Sequence, residues 1–143
     1  VDMHKFVNKA LDDSMEPGIK LERYTVPGVK DLPIACKKLL EEKKCDICLA
    51  LGMPGPMPID KTCAHEASQG LINVQLAENK HILEVFVHLD EAENDKELYE
   101  ITKNRTYDHA MNAIALLKRE NTLQKFAGHG IRQGTKNVGP IIQ

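Results

Sequence analysis

Apolar residues at Val1, Phe6, Val7, Ala10 and Leu11 recur at close to helical spacing, which predicts a first helix over Val1 to Asp13. "MEPG", Met15 to Gly18, stops it. "IKLERYTV" alternates over Ile19, Leu21 and Arg23 and ends apolar, the pattern of a strand. Pro33 suits the first turn of a second helix, and "IACKKLLEEKK" puts its apolar residues at 34, 35, 36, 39 and 40. "DICLALG" is a short continuous apolar run, read as a strand buried on both faces. "MPGPMP" is a loop. A third helix is expected from Asp60 or Lys61 to Glu78, and "HILEVFVH" is the third strand. Asp90 to Glu120 reads as one long helical stretch or two. "NTLQKFAGHG" is expected to add a short helix, and "IRQGTKNVGPIIQ" is a tail.

The order is α-β-α-β-α-β-α, which implies an α/β domain with a parallel sheet and helices on both faces. The length of 143 residues suits a single domain over 1–143. In open sheets of this class, ligands bind beyond the carboxyl ends of the strands. Three loops leave those ends: "PGVKD", "GMPGPMP" and "HLDEAEND". They should share one rim. Proline stiffens the first two, and glycine lets a ligand approach the backbone closely. A stiff loop can preorganise backbone donors for a flat polar ligand.

Charge and composition narrow the function classes. A net charge of −2 gives no basic field for nucleic acid or an anionic membrane. With 4% aromatic residues and no Trp, base-stacking platforms are not expected. No apolar run approaches the ~20 residues of a membrane span. Cys36, Cys45, Cys48 and Cys63 lie in or beside apolar stretches, so they read as reduced, mostly buried thiols of a cytoplasmic protein. "CDIC" has the spacing of a zinc knuckle or a redox pair, but no second pair answers it, and core packing is the better reading.

Several residues are candidates for chemistry. His88 ends the third strand at the predicted rim, a position for an acid/base. His65 and Glu66 lie about one turn into the third helix, as proton-transfer candidates or as ordinary helix residues. Arg105 and His109 share a helix face, either exposed or reaching a subunit interface. "GHGIRQG" lacks phosphate-loop spacing. It is either a tail with turns or a tail completing a neighbouring subunit's pocket, where Arg132 would meet a ligand's polar edge.

"TVPGVKDLPIACKKLLEEKKCDICLALGMPG", "DKTCAHEASQGL" and "EVFVHLDEAENDKEL" together resemble the archaeal riboflavin synthases, which are related to 6,7-dimethyl-8-ribityllumazine synthase. The resemblance runs from Val1 to "GHGIRQG". It implies a flavodoxin-like three-layer sandwich that assembles as a homopentamer with active sites between subunits. The family opens with a strand and a "DTTFAR"-like loop just before "VDM". That segment is absent from this sequence, and it would supply the first strand and one wall of the active site. The reaction implied is the dismutation of two 6,7-dimethyl-8-ribityllumazine molecules by four-carbon transfer. No organic cofactor is implied; Mg²⁺ is a possible aid in the family, and the sequence shows no metal site for it. Backbone groups of Gly28, Val29, Lys30, Gly52, Met53 and Pro54 are expected to cradle the ligand, with Asp31 at the ribityl hydroxyls. Glu84 and His88 would reach the pyrimidine edge and the reacting methyls. A lumazine synthase, a non-catalytic flavin- or pteridine-binding protein and an inactive structural pentamer are the competing readings. Against the first, "MPGPMPIDKT" has neither the Arg nor the His of that relative's "RGxTxHF" pattern. Against the second, Tyr24, Phe86 and Tyr99 are few and poorly placed to sandwich a flavin.

Overall fold

The computed structural model describes residues 1–118 and 120–142. Arg119, inside the helical stretch expected to reach Glu120, and Gln143, the last residue of the expected tail, lie outside the described residues.

Among the described residues, four helices flank a parallel pair of strands. In chain order they are α1 (His4–Ser14), α2 (Leu32–Glu41), β1 (Cys48–Gly52), α3 (Pro58–Glu78), β2 (Ile82–Phe86) and α4 (Asp95–Leu117). Short 3₁₀ turns stand at Val29–Asp31, Leu89–Glu91 and Gln124–Phe126. The register runs from Cys48 opposite Ile82 to Gly52 opposite Phe86. One sheet face carries Cys48, Ala50, Ile82 and Phe86 against α2 and α3, where Leu40 and Leu71 are fully buried. The other carries Leu49, Leu51, Val85 and Val87 against α1 and α4. Strand alternation therefore feeds two helix layers at once, as a three-layer sandwich requires.

Local chemistry explains the element boundaries. Pro33 and Pro58 stand in the first turns of α2 and α3, where no amide partner is lost. The Asn94 side chain caps α4 by accepting from the Glu97 amide at 2.9 Å. Met15 and Asn79 end α1 and α3 in the left-handed conformation. Phe6 meets Tyr99 edge-on at 5.6 Å, joining α1 to α4. Gly70 allows α3 to close on α2, since a Cβ there would stand 2.7 Å from Pro33 Cγ.

Two expectations need correction. "IKLERYTV" is not a strand. Residues 19–26 run without regular structure, and no backbone hydrogen bond ties them to the sheet. An alternating pattern makes a strand only when a neighbour supplies the ladder. Here a groove of about 830 Å³ separates the segment from β1. Both helix layers contribute to the groove, through Val7 and Ile114 on one side and Leu32 and Leu39 on the other. The second correction concerns β1, which is not buried on both faces. Cys48 and Ala50 are buried, while Leu49 and Leu51 are half-buried where they line the groove. The two buried cysteines pack in the core, as expected of "CDIC" and "IACKK". The Cys48 thiol, hydrogen-bonded to Cys36 and buried, is held protonated well above the ordinary thiol range.

Candidate functional site

The carboxyl ends of β1 and β2 gather all three predicted loops. A Cβ on Gly52 would stand 3.1 Å from both Val29 Cγ1 and the Phe86 ring, so the first loop lies directly on the two strand ends. The Val87 amide donates to Gly52 O at 3.0 Å, and the Leu89 amide donates to Pro54 O at 3.0 Å. These bonds continue the ladder past the strands and join the second loop to the third. Side chains add further stitches. Lys30 pairs with Glu66 at 2.7 Å, tying the first loop to α3. Lys61 pairs with Asp90 at 2.6 Å, tying α3 to the third loop.

The third loop has its own lock. Arg105 Nη1 donates to Phe86 O at 2.8 Å and to Glu91 Oε1 at 2.9 Å, while Nη2 donates to Glu91 Oε2 at 2.5 Å. The same Glu91 carboxylate accepts from the His88 amide at 2.8 Å. The Arg105 guanidinium holds the Glu91 carboxyl below the usual carboxylate range. His88 follows β2 and is half-buried, and its Nδ1 is buried without a partner among the described residues. A buried ring nitrogen with no partner is uncommon and calls for an explanation, of which a proton-transfer role is one.

The sequence-predicted residues fall into three groups. Gly28, Val29, Lys30, Asp31, Gly52, Met53, Pro54 and His88 do converge on the rim. Val29 and Lys30 open a 3₁₀ turn, where the first amides have no acceptor inside the turn. Glu84 is paired with Ala50, two residues short of the end of β2. His65 and Glu66 are exposed on α3, and Glu66 is engaged by Lys30.

The third group lies on α4 and the tail, and two of its members require correction. His109 is neither exposed nor at an outer face: it is 8% exposed, with Nδ1 bonded to Arg105 O at 2.7 Å. Burial pushes its imidazole below the ordinary histidine range. It is a satisfied interior histidine. Arg105 is not free for a ligand, because its fork is engaged within its own chain. Arg132 sits on a tail that docks on its own α4, where the Gly134 amide donates to Asp108 Oδ2 at 3.0 Å.

Sequence reasoning missed Glu91, Lys61 and Gly134. A carboxylate three residues after the residue that ends a strand hints at a cap, so Glu91 was partly legible. Lys61–Asp90 and Gly134–Arg105 join positions too far apart in the chain to leave a local trace. Among the described residues no group of three or more His, Cys, Asp or Glu side chains is arranged to hold a metal ion. Two carboxylates of the third loop, Asp90 and Glu91, are paired with Lys61 and Arg105. Among the described residues the aromatic rings form no flavin sandwich within the chain. Phe86 lies buried beneath Gly52, Tyr99 packs on Phe6, and Tyr24 lines the groove.

A family model described as 6,7-dimethyl-8-ribityllumazine synthase matches residues 2–121, which include both strands and all three rim loops. The chain belongs to that family. Within it the similarity leans to one branch. The chain is 56% identical over 124 residues to the riboflavin synthase of Methanothermobacter marburgensis, covering 87% of this chain and 81% of that protein. It is 52% identical over 125 residues to the riboflavin synthase of Archaeoglobus fulgidus, covering 87% and 82%. With the riboflavin synthase of Aeropyrum pernix the identity is 41% over 142 residues, 99% of this chain and 90% of that one. The resemblance to the archaeal riboflavin synthases is thus borne out over most of the chain. The family's α/β fold agrees with the parallel strands and flanking helix layers. Among the described residues no helix is long and apolar enough to cross a membrane.

Proposed function

We propose that this protein is a riboflavin synthase of the archaeal type, an enzyme that transfers a four-carbon unit between two 6,7-dimethyl-8-ribityllumazine molecules. The products are riboflavin and 5-amino-6-ribitylamino-2,4(1H,3H)-pyrimidinedione. The observation that carries this reading is the 56% identity to a riboflavin synthase over 87% of the chain. One substrate molecule is oxidised as the other is reduced, so no external redox partner enters. The heterocycle delocalises the carbanion formed at the 7-methyl group, so much of the reactivity belongs to the substrate. The protein must hold two identical molecules in a reactive orientation and move protons between methyls, ring carbons and water.

The rim supports specific roles. The Val29 and Lys30 amides and the Gly52–Pro54 backbone hold the ring system, and Asp31 binds ribityl hydroxyls. His88 transfers protons at the end of β2, supported by its place at the rim and its unpartnered Nδ1. Glu84 reaches the pyrimidine edge from β2. His65 and Glu66 are secondary proton carriers on α3, and Arg132 approaches a ligand from the tail. The open groove beside β1 supports filling by an extended strand, which would pair with β1 and with residues 19–26. Assembly as a homopentamer in the cytoplasm, with sites shared between subunits, follows from the family resemblance. Exposed Ile72 and Leu76 on α3 and Ile141 and Ile142 in the tail offer apolar surface for such contacts.

The family description also favours a second reading, a lumazine synthase. That reaction needs a cation for a sugar phosphate. Lys61, the cation nearest the second loop in sequence, is held by Asp90.

The test is incubation of the protein, extended by any natural N-terminal segment, with 6,7-dimethyl-8-ribityllumazine alone. Riboflavin and the pyrimidinedione should appear in equal amounts by absorbance and chromatography. No turnover from an intact oligomer removes the synthase reading. Light scattering at five times the 16.0 kDa chain mass is the expected assembly result.

A further inference from the structure

The C-terminal segment folds back onto the body of the protein. Its turn, Arg132 to Asn137, is closed by the Arg132 amide donating to Asn137 Oδ1 at 2.9 Å. Two bonds pin it to α4: the Gly134 amide donates to Asp108 Oδ2 at 3.0 Å, and Asn112 Nδ2 donates to Gln133 Oε1 at 2.7 Å. Between those pins Gly134 lies flat on Arg105. A Cβ there would stand 2.5 Å from Arg105 Cγ and 2.9 Å from its Cα. Gly134 also has φ of +70°, so both space and conformation call for glycine.

We infer that this turn is a positioning element of the rim, acting as a wall that holds Arg105 in the fork which sets the place of His88. The connection is continuous: Gly134 touches Arg105, Arg105 grips Phe86 O and both oxygens of Glu91, and Glu91 accepts from the His88 amide. Arg105, Glu91 and Gly134 are positioning residues and touch no substrate. The inference rests on the reading of His88 as a proton-transfer group.

Arginine on a helix surface has many rotamers. A wall against its Cβ and Cγ removes most of them, which leaves the guanidinium preorganised for its planar, two-pronged contact. That contact is rigid in a way that a lysine contact is not. A displacement of about 1 Å at a reacting group can cost on the order of 10²-fold in rate, so a remote wall can matter to turnover. A tail that merely stabilised α4 would contribute to unfolding free energy and leave the His88 loop unchanged.

Two variants separate these cases. Gly134→Ala pushes a methyl into Arg105. Asp108→Ala releases the turn without crowding that space, and serves if the first variant does not fold. Hydrogen exchange at the His88 amide is measured by NMR, together with kcat and KM for riboflavin formation from 6,7-dimethyl-8-ribityllumazine. Exchange at His88 should quicken by about tenfold while the ladder amides of β2 keep their protection. kcat should fall by about tenfold with KM within about twofold. Adding Gly134→Ala to Glu91→Gln should cause no further loss, because both act through one connection. Unchanged His88 exchange, or losses that multiply in the double variant, overturns the inference. The exchange measurement needs no turnover. A wild-type protein that makes no riboflavin but whose His88 amide loosens in the variants defeats the functional reading and leaves the mechanical link standing.

Discussion

The two sides of β1 behave differently. Toward β2, the strand is paired, and backbone bonds join its carboxyl end to the third loop, while three ion pairs tie the first and third loops to α3 and α4. Away from β2, it faces a groove of about 830 Å³, beyond which residues 19–26 run with no backbone partner among the described residues. Both sides carry similar apolar residues. What separates them is whether a neighbouring backbone is within reach. Apolar burial alone draws a segment to the body of the protein, but order at the level of a strand needs the ladder.

His88→Ala should produce the largest effect. Loss of a general acid/base typically costs about 10²–10⁴-fold in turnover. A loss below about tenfold removes His88 from that role and leaves the stitched rim as a binding surface only. Leu40→Ala, in the core shared by α2 and the sheet, should destabilise by about 2–5 kcal/mol in chemical denaturation. An unchanged midpoint there means that the groove side already collapses to fill such spaces.

Amide exchange distinguishes the two sides directly. Amides of the β1–β2 ladder should be protected by at least about 10²-fold relative to those of residues 19–26. Equal protection breaks the comparison, since it requires a partner for 19–26 in solution.

Acid should weaken the protein in two steps. Burial favours the neutral His109 ring in the folded state. The unfolded chain therefore takes up that proton first, and stability declines as pH falls below about 6.5. Glu91 is held below the usual glutamate range by Arg105. Its contribution is complete above the unfolded value and is lost as pH falls through the depressed one, below about pH 4. His109→Gln should flatten the first step in a urea-denaturation series and leave the second, and a first step that persists assigns it elsewhere. Lys61→Ala should have the smallest effect, because its pair with Asp90 is exposed and screened. A clear drop in its denaturation midpoint marks the rim stitches as structural supports and not as positioning contacts.

Much of the fold was legible because its cues are local. Pro33 and Pro58 open helices, period-3.6 apolar residues put α2 on the core, and the short apolar runs became β1 and β2 within two residues. The rim followed from a general rule about strand ends, so Val29, Gly52 and His88 could be placed together before any contact was known. The segment 19–26 was misread because alternation records a wish for a neighbour and not its presence. His109 was misread because helical spacing says which residues share a face but not what covers it.

By itself the sequence determined the helices, the two apolar runs that pair, the family and the loops that meet at the rim. All of these depend on residues close in the chain or on motifs readable as strings. Only the tertiary structure decided that 19–26 stays unpaired, that His109 is interior, and that Arg105 grips Glu91 with Gly134 against its flank. Those outcomes depend on contacts such as Arg105 with Glu91, 14 positions apart, and Asp108 with Gly134, 26 positions apart, whose geometry exists only once the layers have packed.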